Sequence, residues 1–251
     1  MHVRPNAKGF FLKRGQIGCL LLHGGTGTPS VMRSMGEFLA EKGISALGKR
    51  LKGFGTSPED WLKTTHLDWI LSAEEGISKL EHHCKDVFIA GLSMGGALTL
   101  YLAAKHQNRF TGIIPICAPA GPSFLSGFRK RFQPLAKEDE AQPNVGANDI
   151  KDQSVKPGGY SHFYPSLFLE WADLVEKATD EISAIKCPVL IIQAKNDHVV
   201  NPRTADWIYE HVSSDQKELL WLESSYHMAT IDVDKEIVFR EVVDFIFKVA
   251  E

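Results

Sequence analysis

Short, continuously apolar runs alternate along the chain with longer segments whose apolar residues recur every three to four positions. The runs lie at 17–22, 87–92, 113–117, 188–194 and 219–222, with a weaker one at 44–47. Apolar character on consecutive rather than alternate positions predicts strands covered on both faces, as the central strands of a parallel sheet are. Among the intervening segments, 29–42 begins with Pro29 near the first turn, where a missing N–H does no harm, and stops at Gly43. Segment 68–79 places Trp69, Ile70, Ala73 and Ile77 at helical spacing, and 237–249 does the same with Val238, Val242, Phe245 and Ile246. One apolar stripe per helix implies core packing rather than a membrane or partner face. The alternation predicts βαβ units and an α/β fold, with a mostly parallel central sheet and helices on both faces.

The rhythm breaks between Ala118 and about Ile185. Residues 119–160 are rich in Pro, Gly and charge, and helical spacing resumes at 165–177. A structureless loop of that length is foreign to a compact domain. The expectation is therefore a core domain built from 1–119 and 186–251, with a small, partly helical cap inserted at 120–185. The chain of 251 residues fits such a single domain with an insertion. No internal repeat or low-complexity tract interrupts it.

The predicted strand at 87–92 runs into Gly91-Leu92-Ser93-Met94-Gly95, followed by a helix-forming segment. Gly-x-Ser-x-Gly between strand and helix is the signature of a nucleophile elbow, a turn so sharp that it strains the serine backbone and exposes the hydroxyl at a helix N-terminus. Gly91 and Gly95, two positions either side, keep strand and helix from colliding. A serine hydroxyl needs a general base oriented by an acid, and the elbow order is Ser, then Asp or Glu, then His. His227 follows the late strand at 219–222 in a short loop before the last helix, whereas His211 falls within a helical pattern and on the surface. Asp197 follows the strand at 188–194 directly. Asp206 and Asp215 occupy helix or turn positions, and Glu223 would have to act from the strand that already delivers the histidine. His198 is expected to pack in the loop rather than serve as a second base.

Acyl transfer also requires two amides aimed at the oxyanion. Met94, after the nucleophile, supplies one. The Gly-rich turn His23-Gly24-Gly25-Thr26-Gly27 after the first strand supplies the other, assigned to Gly25. Neither Gly-x-x-x-x-Gly-Lys-Ser/Thr nor Gly-x-Gly-x-x-Gly occurs there, which argues against a phosphate-binding loop. His23 is expected to hold the turn by hydrogen bonds.

Composition narrows the field further. With 43% hydrophobic and 24% charged residues, the chain can bury a large core. A net charge of -3 argues against a nucleic-acid surface and for small or neutral substrates. The basic cluster Arg129-Lys130-Arg131 is expected to be solvated. Cys19, Cys84, Cys117 and Cys187 are far apart, without CxxC or His/Cys ligand spacing, and are expected to be buried reduced thiols with no metal. Residues 1–15 carry only Phe10, Phe11 and Leu12 as an apolar patch, too short for a signal peptide, and no window reaches the length of a membrane span. A cytoplasmic protein without membrane insertion is expected.

These residues resemble the bacterial monoacylglycerol lipases and small carboxylesterases of the α/β-hydrolase superfamily. The resemblance is carried by Leu22-His23-Gly24-Gly25-Thr26-Gly27-Thr28-Pro29, by Arg50-Leu51-Lys52-Gly53-Phe54-Gly55-Thr56, by Thr64-Thr65 with Asp68-Trp69, and by Gly91-Leu92-Ser93-Met94-Gly95-Gly96. It continues in Asp197-His198-Val199-Val200 and Ser225-Tyr226-His227-Met228-Ala229-Thr230. It implies a Ser93, Asp197 and His227 triad, oxyanion donors at Gly25 and Met94, and a small cap over an apolar acyl pocket. Two positions depart from the pattern: Gly25 stands where the family usually has an aromatic, and Phe54 where it usually has a histidine.

The expected activity is hydrolysis of a small-molecule carboxylic ester, an acylglycerol or an alkyl or aryl ester, through an acyl-enzyme and without metal or organic cofactor, by a monomer or homodimer. Amidase, thioesterase or C–C hydrolase chemistry on the same fold, and a hydrolase-like ligand-binding protein, are the alternatives that sequence alone leaves open.

Overall fold

The computed structural model describes residues 2–144 and 148–250, so Met1, Glu251 at the end of the expected core domain, and the portion of the expected cap at 145–147 lie outside the described residues. Seven strands form one sheet: β1 (Phe10–Leu12), β2 (Ile17–Leu22), β3 (Ser45–Lys49), β4 (Asp86–Leu92), β5 (Gly112–Ile116), β8 (Val189–Ala194) and β9 (Lys217–Leu222), in the order β1-β3-β2-β4-β5-β8-β9. All neighbours are parallel except β1, which runs antiparallel to β3 with Phe10 opposite Gly48. Every strand expected from an apolar run is present. The edge strand β1 was legible only as an apolar patch, because three residues carry no periodicity. Cys117, expected to end the fifth run as strand, instead turns out of it at φ 46°.

Helix α1 (Ser30–Glu41) follows β2, α2 (Pro58–Trp61) and α3 (His66–Glu81) follow β3, α4 (Met94–Lys105) follows β4, α7 (Arg203–His211) follows β8 and α8 (Lys235–Ala250) follows β9. Gly43, at φ 83°, closes α1 as its spacing suggested. Helix α3 begins two residues before the expected segment because Asp68 accepts a hydrogen bond from the Thr65 amide at 3.1 Å. Alternate residues of each central strand face opposite layers. Cys19 and Leu21 of β2 meet α1 and α8 through Met32, Met35, Leu39, Val238 and Val242, while Leu20 and Leu22 belong to the core under α3 and α4. Helices therefore cover both faces, and the parallel strands all deliver their C-terminal ends to one edge, where α/β folds place their sites.

Between β5 and β8 the chain leaves the sheet to form α5 (Pro122–Leu135), the short pair β6 (Gln142–Pro143) and β7 (His162–Phe163), α6 (Pro165–Asp180) and a 3-10 turn at Ile182–Ala184. Helix α5 lies inside the stretch that looked rich in Pro, Gly and charge. Its signal is the aromatic stripe Phe124, Phe128 and Phe132, the first pair stacked at 5.0 Å between centroids and the second tilted at 4.7 Å, which then meets Phe168 and Trp171 of α6. Arg129 joins Asp173 and Glu176 of α6 at 2.8 Å each, while Lys130 and Arg131 are exposed. Helix α6 packs on α4 as well as on α5, so the insertion shares the main core instead of standing off it.

Candidate active site

The turn from β4 into α4 holds Ser93 at φ 56°, ψ −119°, in the left-handed half of backbone space that a side chain rarely enters. The turn is secured on both sides: the Ser93 amide donates to Ile116 O at 2.8 Å, and its carbonyl accepts from the Gly96 amide at 2.8 Å. A Cβ on Gly91 would overlap the Gly95 backbone, and one on Gly95 would overlap the Leu22 backbone, so both positions need glycine. Gly24 is tight without overlap, an added Cβ there coming to 3.1 Å from the Ser93 Cβ. The loop after β2 is thereby pressed against the serine.

Asp197, in the loop after β8, and His227, in the loop after β9, meet Ser93 at the C-terminal edge of the sheet. Ser93 Oγ lies 2.8 Å from His227 Nε2, and His227 Nδ1 lies 2.8 Å from Asp197 Oδ2. In the neutral tautomer this pattern requires, Nδ1–H donates to Asp197 and Nε2 accepts from the serine hydroxyl. Asp197 Oδ1 accepts from the Val199 and Val200 amides at 2.8 Å each, and Gln193 Nε2 donates to Oδ2 at 3.2 Å. All three residues are buried. Burial pushes the Asp197 carboxyl up, but the imidazole and the two amides outweigh it and hold the group below its ordinary range. Burial pushes His227 down, and the carboxylates of Asp197 and Asp149 more than offset it, so its value is raised. Both shifts favour an imidazolium beside a carboxylate.

Gly25, in the loop after β2, and Met94, the first residue of α4, flank Ser93 from two sides. Among the described residues, neither amide finds an acceptor within the chain, as expected for Met94 in the first turn of a helix. Gly24, Gly25, Ser93, His227, Phe168 and Trp171 border a cavity of about 60 Å³ at the serine. A larger cavity of about 390 Å³ adjoins it, walled by Phe128, Phe132, Phe163, Phe168 and Trp171. Gly25 has no side chain, but the Trp171 ring stands 3.5 Å from where a Cβ would sit. The space beside the turn is thus closed by an aromatic from α6, which the sequence did not disclose.

The other singled-out residues, Cys117 excepted, stand outside the hydrogen-bond chain of Ser93, His227 and Asp197. His23 is fully buried: Nδ1–H donates to Gly24 O at 2.9 Å and Nε2 accepts from the Leu51 amide at 3.3 Å. Burial, opposed by the Gly24 carbonyl and reinforced by Arg50, lowers it to about 4. Phe54 packs edge-on to His23 at 5.1 Å and against Trp61 and Trp69, in an aromatic cluster. His211 is exposed and donates to Trp207 O, and Asp206, Asp215 and Glu223 are exposed too. His198 is exposed and bonded to Asp149 at 2.8 Å. Of the four free cysteines, Cys19, Cys84 and Cys117 are buried as expected, whereas Cys187 is partly exposed. Cys117 lies with Asp197 and His227 in a group whose ligand atoms fall within 4.8 Å of one another, but the acid and imidazole there are already committed to each other. His66, Glu170 and Asp173 form a second such group, in which His66 pairs with Glu170 and Asp173 with Arg129. No helix among the described residues is long and apolar enough to cross a membrane.

The profile of the family described as serine aminopeptidase, S33 (Hydrolase_4) matches residues 16–234. The chain is 38% identical over 247 residues to a thermostable monoacylglycerol lipase of Bacillus sp. (strain H-257), covering 98% of this chain and 96% of that one. It is 28% identical over 246 residues to a carboxylesterase of Bacillus subtilis (strain 168), covering 96% of each. A solved structure from the metagenome-derived lipolytic enzymes LipS and LipT superposes with a TM-score of 0.90 at 36% identity, over 98% of this chain and all of that one.

Proposed function

The chain belongs to the serine aminopeptidase, S33 family of α/β-hydrolases, and from that membership we propose that it is a serine carboxylic-ester hydrolase of the carboxylesterase or monoacylglycerol lipase type. The observation that carries the proposal is the hydrogen-bond chain from Ser93 Oγ through His227 to Asp197, 2.8 Å at each link, beginning on a strained turn at the wall of an apolar cavity.

His227 takes the proton of Ser93 as Oγ attacks the ester carbonyl. The electron pair displaced onto the carbonyl oxygen is held by the amides of Gly25 and Met94. As the tetrahedral intermediate collapses, the C–O bond to the alcohol breaks and His227 returns the proton to the leaving oxygen. Water then repeats both steps on the acyl-enzyme, releasing the acid and restoring the Ser93 hydroxyl. Asp197 keeps the imidazole in the Nδ1–H tautomer and stabilises the imidazolium that forms. Every proton and electron pair is accounted for by these groups and water.

The substrate is a small ester, an acylglycerol or an alkyl or aryl ester. Residues 120–185 act as its cap, and the apolar segment 163–174 lines the acyl or aryl site; the placement of Phe163, Phe168 and Trp171 along the larger cavity supports this. The enzyme works in the cytoplasm, consistent with four free thiols. The test is a substrate profile of monoacylglycerols, alkyl and aryl esters, thioesters and amides. Ester turnover well above thioester and amide turnover is expected, and preferential amide or thioester turnover overturns the assignment.

A further inference from the structure

Asp149 reaches the site from the insertion, distant in sequence from every residue of the proposed triad. Its Oδ2 accepts from the His227 amide at 3.2 Å and from the His198 amide at 3.1 Å. Oδ1 faces His198 Nδ1 at 2.8 Å, and its backbone carbonyl accepts from the Met228 amide at 3.1 Å. One carboxylate therefore ties the residue after the acid to the base itself. The adjoining segment of the insertion is tied to the same loop: the buried Asp232 accepts from the amides of Lys151, Asp152 and Tyr226 at 2.7 to 3.1 Å.

We propose that Asp149 is a positioning residue for the reaction, stapling the loop of Asp197 to the loop of His227 and placing a second negative charge beside the imidazole. This rests on the ester-hydrolase assignment above. Through the staple, the spacing between acid and base depends on a residue of the insertion, so seating of the insertion and alignment of the base are coupled. The charge favours the imidazolium that forms when Ser93 is deprotonated. The groups facing His227 are Asp197, the Ser93 hydroxyl, the Cys117 thiol and Asp149, and His198 faces Asp149 in turn.

The test compares kcat, KM and the pH profile of kcat/KM for p-nitrophenyl ester hydrolysis in the wild type, Asp149→Asn and Asp149→Ala. Asp149→Asn keeps an acceptor for the two amides and removes the charge, so its acid limb should move to lower pH with most of kcat retained. Asp149→Ala removes both, and should also lower kcat about tenfold to a hundredfold with little change in KM. Should Asp149→Ala fail to fold, the near-isosteric Asp149→Asn alone decides through its pH limb. Wild-type kcat and an unmoved acid limb in the variants, or a loss of melting temperature alone, overturns the proposal. A wild type that neither hydrolyses the ester nor reacts with a fluorophosphonate overturns the assignment beneath it instead.

Discussion

At residue scale, Ser93 is held in a backbone conformation that costs on the order of 1–3 kcal/mol, and the glycines around it are what make that conformation sterically possible. Gly95→Ala should therefore destabilise the protein severely, because its Cβ meets backbone that cannot rotate away; a chemical melt should show loss of the folded state or of several kcal/mol. Gly25→Ala should be tolerated, since its Cβ would meet Trp171 at an ordinary contact distance and its amide is preserved; ester kcat close to wild type is the expected readout. His23 makes a pH prediction. Its folded value of about 4 lies below the ordinary 6.5, so the unfolded chain takes up the proton first as pH falls. Its contribution is complete above about pH 6.5 and is lost progressively toward pH 4, about 3 kcal/mol in all. Asp197, lowered from the carboxylate range, yields its own contribution at still lower pH. Denaturant melts at pH 7 and 4.5 should show a shallower loss in His23→Gln than in wild type. That Ser93, Asp197 and His227 meet was legible in the sequence because each follows a strand end in a fixed order. Asp149 was not, because nothing local marks a carboxylate whose partners lie 49 and 78 positions away.

At the scale of elements, the central strands were readable as continuous apolar runs buried on both faces, and the helices α1, α3, α6, α7 and α8 because each buries one face of a periodic pattern. The shortest elements, β1, α2, β6, β7 and the 3-10 turn, are too short to have a period, and α5 hides its aromatic stripe among Gly, Pro and basic residues. That stripe has a consequence for specificity. Phe128 and Phe132 of α5 join Phe168 and Trp171 of α6 around the larger cavity, and Phe168 and Trp171 also wall the cavity at Ser93. Trimming Phe168 or Trp171 to alanine should enlarge the passage between the two cavities and shift the preference among acyl-chain lengths. An unchanged profile across short and long acyl esters would contradict a substrate site beneath these helices.

On the scale of the whole molecule, the parallel sheet brings three loops, after β4, β8 and β9, to one edge, and the loop after β2 closes against them. That convergence was foreseeable from the order of strands and motifs. What the pattern could not foresee is how the insertion sits, since α6 shares the core beneath it through contacts with α4 that leave no mark in local periodicity. The central claim is that Ser93, activated by His227 and Asp197, is the nucleophile of an ester hydrolase. Its most direct measurement is reaction of the purified protein with a fluorophosphonate, with the modified residue mapped by peptide mass spectrometry and ester turnover followed in parallel. The expected result is a single adduct on Ser93 with complete loss of turnover, and a fall in kcat of about four to six orders of magnitude in Ser93→Ala and His227→Ala. An adduct on another residue, or ester turnover that survives in Ser93→Ala, would contradict it.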